Sequence, residues 1–174
     1  VLKSIEMITS PDGLGMSPRR ITLSTVGLPK MIMKLADDEV RFNLAVSLHS
    51  AIDEVRSTMM PINEKSNLED LLASLQYWYE KTNSRVTFEY VVWKGINDRQ
   101  KDIDALVAYC RRVPSKVNLI EYNAIDEDGF EQADEEVIEK YRQDLERNKI
   151  VVNIRRSRGK DIDAACGQLA NKTA

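Results

Sequence analysis

Five apolar, β-branched runs alternate with stretches of helical period along this chain, and nothing between any two of them reads as a hairpin turn. The runs are Arg20–Thr25, Phe42–Leu48, Arg85–Trp93, Lys116–Tyr122 and Ile150–Arg155. Adjacent parallel strands need a crossover, usually a helix, whereas antiparallel strands can be joined by two residues. The alternation therefore predicts an α/β fold with a parallel sheet and helical crossovers, either an open sheet or part of a (βα) barrel.

The helical stretches carry their own signals. Leu2, Ile5 and Ile8 give helical spacing at the start, before a loop marked by Pro11-Asp12-Gly13 and Gly15. Met31 to Asp38 forms a short helix, and a longer loop carries His49, Arg56, Pro61 and Asn63. Asn67 sits where an N-cap belongs, with Asp70 at the capping-box position. The helix that follows runs to Lys81 with Leu68, Leu71, Leu72, Leu75 and Trp78 on one face. Gly95 to Asp98 makes a turn, Arg99–Arg112 and Glu135–Arg147 make two further helices, and Asp161 can cap a last short one. No linker or low-complexity run divides residues 1–174, which read as a single unit.

Composition narrows the chemistry. The 174 residues hold 25 Lys plus Arg against 28 Asp plus Glu, a net charge of −3, so any nucleic-acid binding must come from a local patch. Two cysteines, Cys110 and Cys166, and one histidine, His49, exclude a disulfide framework, a four-thiolate metal site and a histidine pair. No apolar run approaches the ~20 residues of a membrane span, and the opening residues lack the pattern of a signal peptide. A reduced, cytoplasmic setting follows as the expectation. The first residue is Val and lies inside a helical pattern, which suggests a chain that begins within a longer one.

In parallel α/β folds ligands bind at the carboxyl ends of the strands. Ser24, Thr25, Ser47 and Asn123 stand at those ends here; they suit hydrogen bonding to a cofactor, and equally the capping of turns. His49 reads as a base, a hydrogen-bond donor or a satisfied loop histidine. Arg155, Arg156, Arg158 and Lys160 form the one dense basic run, suited to phosphates or to a solvated surface. Cys166 follows these cations near a helix start, where its thiolate gains stability, though a buried structural thiol fits the same spacing. Cys110 faces inward on an amphipathic helix and reads as core.

Several segments together carry a resemblance. They are Arg19–Gly27, Leu44–His49, Met60-Pro61-Ile62-Asn63, Val86–Val91, Lys116–Ile120 and, most specific, Asp161-Ile162-Asp163-Ala164-Ala165-Cys166-Gly167-Gln168-Leu169. In order and spacing the chain resembles the radical S-adenosylmethionine (SAM) enzymes that methylate adenine C2 in ribosomal and transfer RNA. That resemblance implies SAM bound by Ser24, Ser47, Leu48, His49 and Asn123, and Cys166 as the catalytic cysteine that carries the methyl group. It implies 23S rRNA and tRNA as substrates, for which the basic run Arg155, Arg156, Arg158 and Lys160 is the candidate contact, although Lys160 stands where the family commonly has an acidic residue. It also implies an external electron donor and a 4Fe–4S cluster.

The chain departs from the family pattern in places. It contains no Cys-x3-Cys-x2-Cys and no Gly-Glu-Pro, which the resemblance places before Val1, and Ala124–Gly129 replaces a proline-rich turn. The expectation is the C-terminal portion of an incomplete radical-SAM (βα) barrel of about five parallel strands, inactive alone, with a possible dimer through an exposed sheet edge. A non-catalytic nucleotide- or RNA-binding module, or the related adenine-C8 methyltransferase, is the alternative.

Overall fold

Alternate residues of the central strands are apolar, and these side chains lie on one face of a sheet. Leu44, Val46 and Leu48, then Val86, Phe88 and Tyr90, then Val117 and Leu119 are all buried in one cluster. Successive strand side chains point to opposite faces, so the residues between them form a second, more polar face. The computed structural model describes residues 1–123 and 129–156.

Its elements are α1 (Leu2–Thr9), β1 (Thr22–Thr25), α2 (Pro29–Asp37), β2 (Asn43–Ser47), α3 (Asp53–Met59), α4 (Leu68–Thr82), β3 (Val86–Val91), α5 (Gln100–Cys110), β4 (Ser115–Ile120), α6 (Glu135–Arg147) and β5 (Val151–Arg155). The five strands lie in the order β1-β2-β3-β4-β5, and every neighbouring pair is parallel. This is the predicted α/β architecture, a sheet that opens at β1 and β5 as an incomplete barrel does.

The apolar face packs on Ile32 and Leu35 of α2, on Leu71, Leu72, Leu75 and Trp78 of α4, on Ile103 and Leu106 of α5, and on Ile138, Tyr141 and Leu145 of α6. Burying each such side chain contributes roughly 1.5–3 kcal/mol. Trp78 also satisfies its indole N–H by donating to the Ser84 carbonyl at 3.1 Å. Cys110 lies in this core as predicted, and burial pushes its thiol up to about 12.

The boundaries differ from the sequence reading where a side chain or a proline intervenes. Pro18–Arg20 forms one 3-10 turn, so β1 begins at Thr22 rather than Arg20. The expected long loop from His49 contains α3 and a second 3-10 turn, Pro61–Glu64. Strand β3 ends at Val91 rather than Trp93, because the Trp93 N–H is taken by the Asn97 side chain at 2.7 Å. The last predicted helix, from Asp161, lies outside the described residues.

Candidate functional site

The carboxyl ends of β1 and β2 are drawn together by one buried side chain. Arg56, 1% exposed on α3, donates from Nε to the Leu48 carbonyl at 3.1 Å and from Nη1 to Asn63 Oδ1 at 2.7 Å. Its Nη2 donates to the carbonyls of Val26 at 2.9 Å and Ser47 at 3.2 Å. Burial lowers its pKa from the ordinary arginine value, and Tyr109 and Asp53 oppose that shift. Asn63 in turn donates to Asp53 and Ser57, and Asp53 Oδ1 accepts from the Leu68 N–H at 2.9 Å. The segment between β2 and α4 is therefore a polar knot that fixes where two strand ends lie.

Within that frame Ser24 is exposed near the end of β1 and Ser47 is half-buried at the end of β2. Gly27 permits the close approach of the chain after β1. It has φ +93°, and a Cβ there would meet Leu71 Cδ1 at 3.0 Å. Leu48 turns its side chain into the core, and its backbone is committed to Glu89, Ser50 and Arg56. It supports the site from behind.

His49 has a left-handed backbone, φ 57°. Its Nδ1 accepts from the Val91 N–H at 3.2 Å, which assigns the ring proton to Nε2. Desolvation, with Arg56 as the lesser cause, lowers its pKa to about 4, so near neutral pH it is a neutral donor through Nε2–H and not a cation. Asn97, fully buried, holds this conformation by donating to the His49 carbonyl at 2.6 Å and the Val91 carbonyl at 2.9 Å. Tyr141 backs Asn97, its hydroxyl donating to the Asn97 carbonyl at 2.5 Å. Beside His49 stands an aromatic wall in which Trp93 contacts His49, Tyr122 and Phe130. Asn123, 7% exposed, follows Tyr122 after β4.

The polar face of the sheet continues the site inwards. Ser47, Glu89, Asn118 and Asn153 are register partners across β2 to β5. Asn118 Nδ2 donates to Glu89 Oε1 at 2.9 Å, Asn153 Nδ2 to Asn118 Oδ1 at 3.2 Å, and Arg155 Nη1 to Glu89 Oε2 at 3.3 Å. Arg155 thus faces this ladder at the end of β5, while Arg156 pairs with Glu135 at 2.9 Å. The expected residues Arg158, Lys160 and Cys166 lie outside the described residues.

Sequence reasoning missed Glu89, Asn97 and the strand-bridging role of Arg56. Only the register and the burial of polar side chains reveal them. A cleft of about 830 Å3 opens at the opposite end of the strands, lined by Arg19, Arg41, Asn43, Lys81 and Asn83 among others. Helices α2 and α4 end close by in sequence, and basic side chains there complement the helix dipoles.

The strand-end arrangement fits a nucleoside cofactor: hydroxyls from Ser24 and Ser47, a neutral imidazole donor and a buried amide at the strand ends. It does not supply a cluster site. Among the described residues no group of three His, Cys, Asp or Glu side chains comes together. Nor, among them, is any helix long and apolar enough to cross a membrane.

The fold matches a solved radical SAM methyltransferase from Sphaerobacter thermophilus with a TM-score of 0.92 and 36% identity, covering 96% of this chain and 49% of that one. Sheet and helices are those of the radical SAM methyltransferase class. The whole chain is 64% identical to a protein named "Probable dual-specificity RNA methyltransferase RlmN" from Christiangramia forsetii, covering 49% of it. A protein of the same name from Flavobacterium johnsoniae is also 64% identical, with 50% of it covered. No family model matches the chain. By sequence and fold the chain is similar to these proteins, and it spans about half the length of the curated relatives it matches.

Proposed function

We propose that this chain is the C-terminal portion of the catalytic barrel of an RNA methyltransferase that modifies adenine C2 in 23S rRNA and tRNA. The observation that carries the reading is the strand-end knot around Arg56 and Asn97. It fixes the strand ends that carry Ser24, Ser47 and His49 in a chain whose whole length matches proteins named as RNA methyltransferases. Ser24, Ser47, His49 and Asn123 would hold SAM, with the backbone at Leu48 setting the distance between Ser47 and His49. When bound, SAM supplies the methyl group and, with an electron from a 4Fe–4S cluster fed by an external donor, the radical. The cluster ligands would come from the part of the relatives' length that this chain does not span.

The chain's own residues bind and orient. Neutral His49 donates one hydrogen bond and adds no positive charge beside a sulfonium. Cys166 carries the methyl group as a thioether. The basic run Arg155, Arg156, Arg158 and Lys160 would meet RNA phosphate in the cytoplasm. The exposed Arg156–Glu135 pair is worth little in water and yields readily to a phosphate.

Mass spectrometry of the active full-length protein tests the reading. A methyl group on Cys166, lost in Cys166→Ala together with 2-methyladenosine in the RNA, is the expected result. Active enzyme with unmodified Cys166 overturns its role, and 8-methyladenosine as product moves the protein to the related class. The 174-residue chain alone should take up no stoichiometric 4Fe–4S cluster on anaerobic reconstitution. A cluster absorbance band from it would contradict this division of labour.

A further inference from the structure

The polar face of the sheet holds a carboxylate that neither the core nor the site residues named so far account for. Glu89 occupies the middle of β3, pairs in register with Ser47 on one side and Asn118 on the other, and has a side chain only 12% exposed. Placing a carboxylate there is costly unless its oxygens are satisfied. Two partners are present. Asn118 donates to Oε1 at 2.9 Å, and Arg155 donates to Oε2 at 3.3 Å from a side chain that is 61% exposed. Arg155 is a loose partner, since the exposed Arg112–Glu69 pair closes to 2.6 Å. A carboxylate offers about four acceptor positions. Two of them therefore remain, beside the Ser47 hydroxyl and one strand further from Ser24.

We propose that Glu89 contacts the ligand directly, accepting hydrogen bonds from the two vicinal hydroxyls of a ribose in a nucleoside cofactor seated on Ser47. The inference rests on the cofactor reading given above and adds a residue to it. A diol fits better than a cationic group, because the Arg155 guanidinium already offsets the carboxylate's charge. It also uses both remaining acceptor positions. Acidic side chains hold ribose hydroxyls in this way at the strand ends of other α/β folds. The ladder through Asn118 and Asn153 then serves to fix the carboxylate, and Arg155 pairs with its other oxygen at the strand end.

Equilibrium dialysis or calorimetry on the full-length protein, without RNA or turnover, tests this. The probes are S-adenosylhomocysteine and its 2′-deoxy analogue. The wild type should favour the ribose form by about tenfold or more, the scale of one hydrogen bond to a charged group. Glu89→Gln keeps the shape and one acceptor oxygen, and should cut that ratio severalfold. Glu89→Ala should bring it close to one. Because each ratio is taken within one protein, a general loss of stability cancels. An unchanged ratio in Glu89→Gln and Glu89→Ala overturns the proposal. So does a Glu89→Gln variant that keeps this ratio but alters the preference for SAM over S-adenosylhomocysteine, since that places a cation at the carboxylate. If wild type binds neither probe, the cofactor reading itself falls, a result distinct from both.

Discussion

Arg56 donates to four acceptors from within the protein, and removing it leaves the carbonyls of Val26, Ser47 and Leu48 and the Asn63 amide oxygen without that donor. Each buried acceptor left unsatisfied costs about 1–3 kcal/mol. Arg56→Met should therefore destabilise the protein by about 3–5 kcal/mol in urea unfolding. Arg56→Lys should recover only part, because one ammonium cannot span four acceptors; a loss below about 1 kcal/mol for Arg56→Met would sink this account. His49 makes a separate, pH-dependent prediction. Its pKa is about 4 in the folded chain against an ordinary 6.5. Between those values the unfolded chain binds a proton that the folded chain refuses, so stability is full above 6.5 and falls as pH drops towards 4, by at most about 1.4 kcal/mol per pH unit. His49→Asn tolerates the left-handed backbone and removes the titration. The wild-type-minus-variant difference in unfolding free energy should shrink from pH 7 to pH 5, and a constant difference would refute the assignment. Arg56's role is not legible in the sequence, where it reads as one residue of a long loop, and only the crossing of its hydrogen bonds between strand ends shows that it is framework. For His49 the sequence offers a base, a hydrogen-bond donor or a satisfied loop histidine, and the hydrogen bond from the Val91 N–H with burial selects the neutral donor.

At the scale of elements, legibility follows length and period. Helices α4 and α6 were readable because 15 and 13 residues give a repeating apolar face. Asn67 was readable as a cap from its side-chain chemistry, and its amide oxygen does accept from the Asp70 N–H at 2.9 Å. Asn67→Ala should cost α4 about 1 kcal/mol, and Asn67→Asp or Asn67→Ser far less. Thermal unfolding of the three variants checks the order, and an Asn67→Ala protein as stable as wild type would remove the cap from the account. Helix α3 was not readable. Its seven residues bury only Arg56, so no apolar period announces it. The end of β3 was misjudged for a related reason. Val92 and Trp93 continue a β-branched and aromatic pattern, yet Asn97 takes the Trp93 N–H and the Val91 carbonyl away from any ladder. The same interruption turns the backbone towards His49, so the boundary the sequence misplaced is one the site needs.

For the whole molecule, the decisive fact is that a parallel sheet of five strands has two edges, β1 and β5. An unpaired edge carries free N–H and C=O groups and invites pairing with another chain. The two edges differ in what flanks them. β5 alternates Val151, Asn153 and Arg155 on its more exposed side, and a charge on an edge strand discourages pairing. β1 carries no charged residue, and Val26, Leu28, Met31 and Met33, in the turn after it and in α2, are all exposed apolar residues, as are Leu2, Met7, Leu14 and Met16 before it. Scattered apolar side chains are ordinary; this many in the segments flanking one open edge strand in sequence point to a surface that something covers. The relatives are about twice as long as the aligned region, so in a protein of that length the remaining part can cover β1. In the 174-residue chain a second copy is the available substitute. Light scattering across a concentration series should show that chain self-associating, and placing a lysine on the edge, Thr22→Lys, should suppress it. A full-length protein should stay monomeric over the same range. If the 174-residue chain is monomeric throughout, or if Thr22→Lys changes nothing, β1 is not the contact and the exposed methionines before it and in α2 need another explanation.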